Sequence, residues 1–338
     1  SPTVDPNNLV GRNLGESIKM LSADTLKPLF NRAVMAQYPP GSTFKTVNGL
    51  IGLEEGVIRP STEFDCFYGY DYRSTHVGCH YHEAPLDLVE GVQQSCNSYF
   101  CNVFRRTLEN PIYENTEAAF ESWRRHVTSF GFGSKLGSDF PNELSGNVPT
   151  VAYYDRYYTS GHWNFLTVIS LAIGQGELLI TPLQMANMTA TIANKGYYYI
   201  PHLAREIDGE AADEKFLEPI YTTIDSSHFG PIINGMELAV NGEAGSTARI
   251  AKMQDIVICG KTGTAENPHG ADHSIFVAFA PKDNPQIAIA AYVENEGFGS
   301  TWAAPIASLM IERYLKKEVQ RKWLEQHVKK GNTKKEDG

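Results

Sequence analysis

Long hydrophobic runs are missing from this chain: no stretch reaches the roughly 18 apolar residues that a membrane-spanning helix requires. No positively charged segment followed by an apolar one stands at Ser1 either. We therefore expect neither a membrane span nor a secretory signal in these residues. The opening residues SPTVDPNN are typical of the middle of a chain, so we expect an anchor or a further domain before them.

Basic residues are scarce, since 29 Lys and Arg stand against 39 Asp and Glu, which gives a formal net charge of -10. Nucleic-acid surfaces require clustered Lys and Arg, so this composition argues against a nucleic-acid partner. Hydrophobic residues make up 42% of the 338 positions, enough to bury the core of one large domain or of two packed ones. The composition predicts a globular protein.

Cysteine is also infrequent, with five positions in all: Cys66, Cys79, Cys96, Cys101 and Cys259. This number is too small for a disulfide-dense framework, and it leaves the redox compartment open. Cys101 lies in an apolar helical stretch and Cys259 in an apolar strand, so we expect both to be ordinary buried residues.

Helical periodicity is clearest after Gly41, where apolar residues from Phe44 to Leu53 recur on one face and Gly56 supplies a stop. A second clear helix has Thr181 as N-cap and Pro182 in its first turn. That helix is predicted over 181–196. Further helices are predicted over 87–94, 98–109 and 303–327, and irregular segments over 57–85 and 130–165.

Three β-rich runs stand near the end of the chain, DIVICGKTG, HSIFVAFAP and QIAIAAYVEN, and the turn-prone KDNP separates the last two. They predict neighbouring antiparallel strands packed against the helix over 303–327. Residues 331–338 are polar and predict a frayed tail.

The first motif is S-x-x-K, formed by Ser42 and Lys45. Residues three apart on a helix share a face, so the Lys45 amine can reach the Ser42 hydroxyl. A serine needs an adjacent base to become a nucleophile, and burial near a helix N-terminus lowers the pKa of a lysine enough to make it that base. A surface serine beside a solvated lysine is the alternative interpretation of this short pattern.

The second motif is Ser95-Cys96-Asn97, between two helical stretches. Ser95 could relay a proton, and Asn97 could offer its amide to a substrate carbonyl and to Lys45. A simple N-cap for a helix starting near Ser98 is the alternative.

The third motif is Lys261-Thr262-Gly263-Thr264, at the end of an apolar strand. Gly263 would let a substrate backbone approach, and the strand edge could pair with a peptide. Lys261 and Thr262 could bind a carboxylate or assist proton transfer, which would make Lys261 a catalytic residue. A phosphate-binding loop is excluded because that pattern requires glycine at 255, where Asp255 stands.

Together and in this order, S-x-x-K, S-x-N and K-T-G are the set typical of penicillin-binding proteins and serine β-lactamases. The chain resembles the transpeptidase domain of class B penicillin-binding proteins, and within them the elongation-specific type. The matching stretches are YPPGSTFK (38–45), SCNSYF (95–100), IGQGELLITPLQMA (173–186), GKTGTAENPHG (260–270) and FAP (279–281).

The resemblance implies an α+β fold with an all-helical subdomain and a five-stranded antiparallel sheet flanked by helices. It implies a transpeptidase domain over 1–330, with a helical subdomain of roughly 45–190 inserted into an α/β subdomain formed by 1–44 and 191–330. The functional site lies between the two subdomains in this family.

The resemblance also implies acyl transfer without any catalytic cofactor. Ser42 attacks the D-Ala-D-Ala bond of a peptidoglycan stem, the N–H groups of Ser42 and Thr264 stabilise the oxyanion, and the acyl group passes to an amine on a neighbouring stem. β-Lactam antibiotics acylate Ser42 as mimics of that bond. Implied further are the periplasmic face of the bacterial inner membrane, an N-terminal anchor with a pedestal domain, and a membrane glycan polymerase as partner.

Four potential metal ligands, Cys66, Cys79, His82 and Cys96, lie in and after the irregular segment and predict a structural zinc site. A Cys66–Cys79 disulfide is the competing interpretation, and His80 competes with His82 as the nitrogen ligand.

His269, Asp272 and His273 suggest a Ser-His-Asp triad, but Lys45 already supplies a base and neighbours in sequence rarely assemble one. We expect these residues to be structural.

Two other functions stay open at this point. A serine β-lactamase shares the acylation chemistry, but the E-x-x-L-N pattern of class A is absent and Asn97 departs from class D. A non-catalytic β-lactam sensor would resemble class D enzymes, so Asn97 argues against it as well.

Overall fold

The structure is a computed structural model that describes residues 4–211, 213–267 and 270–333. Its α-helices are α1 (Leu14–Ala23), α2 (Arg32–Met35), α3 (Lys45–Glu54), α4 (Leu88–Gln93), α5 (Asn97–Leu108), α6 (Thr116–Ser129), α7 (Val151–Tyr158), α8 (Pro182–Ala193), α9 (Phe229–Asn241), α10 (Ala303–Lys316) and α11 (Lys322–Thr333). Short 3₁₀ helices cover Pro6–Leu9, Gly41–Phe44, Ile169–Ile173, Glu214–Phe216, Ser226–His228 and Arg249–Ala251.

The strands are β1 (Gly69–Tyr72), β2 (Thr75–Gly78), β3 (Tyr197–Tyr198), β4 (Glu206–Ile207), β5 (Glu210–Ala211), β6 (Ile220–Tyr221), β7 (Cys259–Ala265), β8 (His273–Ala280) and β9 (Ile287–Val293). The main sheet has the order β7-β8-β9 and is antiparallel throughout. Three antiparallel pairs, β1-β2, β3-β6 and β4-β5, lie apart from it.

Alternation along β8 divides the apolar core between the two faces of the main sheet. Ile275 and Val277 belong to the larger core, which also contains residues of α3, α5, α8 and α9. Phe276 and Ala278 belong to a smaller core with Ala307 and other residues of α10. Side chains of a strand alternate between faces, so the sheet lies between the large helical body and α10.

Helix α3 lies inside the larger core, because residues 45–53 are all buried. A helix buried on every side requires packing partners all round. Phe44, just before it, packs against Trp123 of α6 and against Phe132, with ring centroids 6.3 and 6.0 Å apart. The end of α3 that carries Lys45 is therefore held rigidly from several directions.

The α+β class, the three late strands and the helix over 181–196 agree with the sequence predictions. The predicted number of five strands has to be corrected, because the main sheet has three strands among the described residues. In the described residues before 45 the chain forms short helices and one isolated bridge at Tyr38, and no strand of that sheet.

The helix predicted over 303–327 is in fact two helices, α10 and α11. Lys317 has φ +65°, a left-handed conformation that ends α10, and the chain turns before Lys322. Residues 331–333 of the predicted tail belong to α11, and 334–338 lie outside the described residues. The irregular segments also contain more structure than predicted, namely the β1-β2 hairpin and α7.

Within the described residues, no helix is both long and apolar enough to cross a bilayer.

Candidate active site

Ser42 lies on the 3₁₀ turn Gly41–Phe44, immediately before α3. Gly41 has φ +54°, and a Cβ atom there would lie 2.4 Å from the Thr264 carbonyl oxygen. The Gly41 N–H donates to the Gly174 carbonyl at 2.9 Å. The turn that carries Ser42 is therefore wedged between two other backbone segments, one of them the K-T-G strand.

Lys45 is fully buried, and its ammonium nitrogen lies among three oxygen acceptors. Nζ is 2.6 Å from the Ser95 carbonyl, 3.3 Å from Ser95 Oγ and 2.5 Å from Asn97 Oδ1. Burial lowers the pKa of Lys45 to about 8. A small neutral fraction of Lys45 therefore exists at pH 7 and grows steeply above it, as a general base requires.

The expected hydrogen bond between Lys45 Nζ and Ser42 Oγ is not formed among the residues that the structure describes. An ammonium group has three N–H donors, and the three acceptors from Ser95 and Asn97 take all of them. Loss of one proton frees a lone pair, and the contact with Ser95 Oγ, the longest of the three, is the easiest to give up. The neutral amine is thus the form that can accept the Ser42 proton.

Ser95 connects α4 to α5 in a left-handed conformation, with φ +57°. This backbone is uncommon for a residue other than glycine and turns the Ser95 carbonyl towards Lys45. The N-cap expected from this motif is present: α5 begins at Asn97, one residue before Ser98, and its N-cap is Cys96, whose Sγ accepts from the Tyr99 N–H at 3.2 Å.

The Asn97 side chain is held from both ends of its amide. Oδ1 accepts from Lys45 Nζ, while Nδ2 donates to the Gly78 carbonyl at 2.7 Å. Its backbone N–H donates to Cys79 Sγ at 3.3 Å. The end of β2 and the cysteine after it therefore orient the amide oxygen towards Lys45.

Lys261 of β7 is the other fully buried lysine of the site, and its Nζ donates to the Thr262 carbonyl at 3.0 Å. Burial first, and then the nearby charge of Lys45, lower the pKa of Lys261 well below its usual range. The two amines are thus electrostatic neighbours, and the structure brings the first and third motifs together.

Thr264 directs its carbonyl oxygen away from β8 and towards the turn at Gly41. In an antiparallel strand the N–H and C=O of one residue face the same edge, so the Thr264 N–H faces that side too. Gly263 has a packing reason of its own, because a Cβ there would lie 3.0 Å from Thr43 Cγ2 and 3.2 Å from the Pro40 carbonyl.

Cys66, Cys79, His82 and Cys96 form one cluster in which all candidate ligand atoms lie within 4.8 Å of one another. The predicted Cys66–Cys79 disulfide is not formed, since both thiols are free. His82 rather than His80 belongs to the cluster, with Nε2 3.6 Å from Cys79 Sγ. Hydrogen bonds, first from Cys96 and then from His80, the Asn97 N–H and His82, lower the pKa of the Cys79 thiol.

His273 and Asp272 make contacts that fit a structural role. His273 Nδ1 accepts from the Asn295 N–H at 3.0 Å, and its ring lies against Tyr38 and Tyr292. Asp272 accepts from the Asn267 N–H at 3.3 Å. His269 lies outside the described residues.

Two residues of the site region were not singled out from the sequence. Asn48, one turn after Lys45, donates to the Leu171 and Ala172 carbonyls at 3.0 Å. Gln175 donates from Nε2 to the Thr264 carbonyl at 3.3 Å. Asn48 could have been found from the sequence, because a polar residue among the apolar residues of a buried helix indicates a specific hydrogen bond. Gln175 could not, because its partner Thr264 is distant in sequence.

The family described as the penicillin binding protein transpeptidase domain matches residues 1–312. The chain therefore belongs to the family of penicillin-binding protein transpeptidase domains, as its three motifs predicted. It is similar to the peptidoglycan D,D-transpeptidase MrdA of Haemophilus influenzae, with 30% identity over 343 residues, 93% of this chain and 50% of the relative. The chain spans about half the length of the first curated relatives that it matches.

Solved structures give the same result for the fold. PBP2 of Pseudomonas aeruginosa, in complex with WCK 5153, superposes with a TM-score of 0.80 at 31% identity, covering 93% of this chain and 69% of that one. Penicillin-binding protein A of M. tuberculosis, as an imipenem acyl-enzyme complex, has a TM-score of 0.68 at 26% identity, covering 92% and 69%. The resemblance to the elongation-specific type, which is PBP2, is confirmed.

Proposed function

We propose that this domain is a serine D,D-transpeptidase that cross-links peptidoglycan stem peptides and is acylated by β-lactams. The observation that carries the proposal is the convergence on Lys45: its amine contacts Ser95 and Asn97, it follows Ser42 on the same turn, and its charge acts on Lys261. Family membership supports the reaction type, and the acyl-enzyme structure of a relative supports a covalent ester intermediate.

Acylation starts when neutral Lys45 accepts the proton of Ser42 Oγ and that oxygen attacks the carbonyl carbon of the D-Ala-D-Ala bond. The N–H groups of Ser42 and Thr264 stabilise the negative charge on the carbonyl oxygen. When the bond breaks, the D-alanine amine takes a proton delivered through the Ser95 hydroxyl, which lies 3.3 Å from Lys45 Nζ. A second amine then attacks the ester carbonyl and loses a proton to Lys45. As the bond to Ser42 Oγ breaks, Lys45 returns that proton to Oγ, which leaves the new amide bond and the free serine.

The third motif supplies substrate binding in this proposal. Thr262 and Thr264 face the free edge of β7, where an extended peptide can add as a further strand. Gly263 keeps the strand close to the turn of Ser42. Lys261 and Thr262 bind the terminal carboxylate of the stem, because the N–H groups of the amine and the hydroxyl can donate to it without a charge on Lys261.

A labelled penicillin tests the reaction class. We expect one covalent adduct per chain, mapped to Ser42, that persists for many minutes, and no adduct in Ser42→Ala. Release within seconds would indicate a β-lactamase instead. A stable adduct without turnover of a D-Ala-D-Ala peptide would indicate a sensor, and an adduct that forms equally on Ser42→Ala would overturn the nucleophile.

We also propose that Cys66, Cys79, His82 and Cys96 hold a structural zinc ion. Three thiols and one imidazole are a common tetrahedral zinc set, and mutual spacings within 4.8 Å suit it. His82 Nδ1 is hydrogen-bonded to the Glu83 carbonyl at 2.8 Å, which leaves Nε2 for the metal. The ion would order the segment before Asn97 and would take no part in acyl transfer.

Metal analysis of protein purified without chelator tests this site. We expect about one equivalent of zinc, its loss in Cys79→Ser, and its retention in Cys101→Ala, whose thiol lies in α5 outside the cluster. Less than a tenth of an equivalent in the unmodified protein would end the zinc proposal, and it would leave the acyl-transfer proposal untouched.

The remaining parts of the proposal come from the family. We place the whole protein on the periplasmic face of the bacterial inner membrane, held by an N-terminal anchor beside a membrane glycan polymerase that supplies new strands. The domain division of 45–190 inserted between 1–44 and 191–330 stays a proposal as well. Fractionation and crosslinking of the full-length protein in cells test the location and the partner.

A further inference from the structure

Residues 173–176 contact both backbone segments that supply the proposed oxyanion donors, the turn of Ser42 and strand β7. On one side the Gly174 carbonyl accepts from the Gly41 N–H at 2.9 Å, next to Ser42. On the other side Gln175 Nε2 donates to the Thr264 carbonyl at 3.3 Å. One short segment thus connects the nucleophile turn with the K-T-G strand.

The packing between these three segments leaves no room for adjustment. A Cβ at Gly174 would lie 2.3 Å from the Gly41 carbonyl oxygen, and a Cβ at Gly41 would lie 2.4 Å from the Thr264 carbonyl oxygen. Gly174 has φ +71°, in the left-handed region that glycine favours. Backbone therefore lies directly on backbone at both contacts, and Gln175 is the side chain that bridges them.

The Gln175 contact acts on the strand edge that matters for the reaction. Among the residues that the structure describes, β7 pairs with β8 along one edge and with no strand along the other, so the other edge depends on contacts of this kind. The Thr264 carbonyl and N–H face that same edge. A donor that fixes the carbonyl therefore also fixes the direction of the N–H beside it.

We propose that Gln175 is a positioning residue for acylation, which sets the Thr264 N–H relative to the Ser42 N–H by holding the Thr264 carbonyl. This inference rests on the proposed acyl transfer. Gln175 is half-buried and touches no reacting atom, so its effect passes through Thr264.

Replacing Gln175 separates this role from simple packing. Gln175→Ala removes the donor, and we expect acylation by penicillin to slow by about tenfold, less than the loss of a complete oxyanion donor. Gln175→Glu presents a carboxylate to the Thr264 carbonyl, and we expect a larger loss above neutral pH. The protonated carboxyl can donate, so the rate of this variant relative to unmodified protein should recover as pH falls towards 5.

The acyl-enzyme provides a second readout, the infrared stretch of its ester carbonyl. Hydrogen bonds from the oxyanion donors lower that frequency, so we expect a higher and broader band in Gln175→Ala. Gln286→Ala is the matched control, since Gln286 is exposed in the turn before β9; its rate and band should equal those of the unmodified protein.

Three outcomes would overturn the inference: an unchanged rate in Gln175→Ala, equal pH profiles for the Ala and Glu variants, or a lower melting temperature with an unshifted carbonyl band. Absence of any adduct in the unmodified protein would instead overturn the proposed acyl transfer itself.

Discussion

On one side of Ser42 lies β7, paired with β8 residue by residue from Cys259 to Ala265. On the other side lie Ser95 and Asn97. Ser95 has a left-handed backbone, and Asn97 donates to the Cys79 thiol and to the Gly78 carbonyl at the end of β2. The first side takes its shape from regular backbone pairing, while the second depends on individual side chains. We expect the second side to be the more sensitive to substitution.

The largest expected effect comes from Lys45, which joins the two sides. Lys45→Met should slow acylation by penicillin about 10³-fold, because a positioned general base contributes 10² to 10⁴. Melting temperature should fall as well, because Met leaves the acceptors on Ser95 and Asn97 without their donor. Lys252→Met, at an exposed lysine, is the control for added hydrophobicity. If the acylation rate fell by less than tenfold, Lys45 would not be the general base.

The irregular side can be tested at Asn97. Asn97→Ala deletes the amide oxygen that accepts from Lys45 and should slow acylation by about 10 to 100-fold, since a hydrogen bond to a charged group contributes about 1.5–3 kcal/mol. Asn102→Ala is the matched control, because its amide also makes one hydrogen bond in α5, to the Ser98 carbonyl at 3.0 Å. Equal rates in the two variants would contradict the importance given to Asn97.

The pH dependence of acylation measures the amine between the two sides. With the pKa of Lys45 lowered to about 8, the neutral fraction is small at pH 7 and nearly complete at pH 9. The acylation rate should therefore rise about tenfold over that interval and then level off. Stopped-flow measurement with a fluorescent penicillin gives the profile, and a rate that falls as pH rises would contradict the role of the neutral amine.

The smallest effect is expected at His273, which pairs with Ala265 at the last position of β7. His273→Ala loses one hydrogen bond from the Asn295 N–H, worth about 1 kcal/mol, and touches no reacting group. Acylation should change by less than about threefold, and the loss should appear in the melting temperature. A loss comparable to that of Lys45→Met would require a catalytic histidine.

The regular side was also the side that sequence predicts best. Three β-rich runs identified β7, β8 and β9, and Thr181, Pro182 and Gly196 bounded α8 to within a few residues, because these signals are local. The grouping of the Ser42, Ser95 and Lys261 motifs followed from the joint pattern. The positions of the three motifs in the fold, and the distances between their side chains, required the structure.

The irregular side shows why the rest was not predictable. Lys317 is left-handed without being a glycine, so no residue type marked the turn there and the end of α10 was not predicted. The bridge from Gln175 to Thr264 joins residues 89 positions apart, which no local pattern encodes. The cluster of Cys66, Cys79, His82 and Cys96 was predicted because cysteine is infrequent in this sequence, so the few candidate ligands could be compared directly.

Main-chain oxygens receive many of the contacts described above: Lys45 donates to the carbonyl of Ser95, Asn97 to that of Gly78, and Gln175 to that of Thr264. A mutation can replace a donor side chain, but every residue keeps its main-chain carbonyl. We therefore expect mutations that slow acylation by β-lactams at this site to replace the donor side chains, or to replace neighbouring residues so that the backbone shifts. Resistance surveys of such domains can weight those positions accordingly.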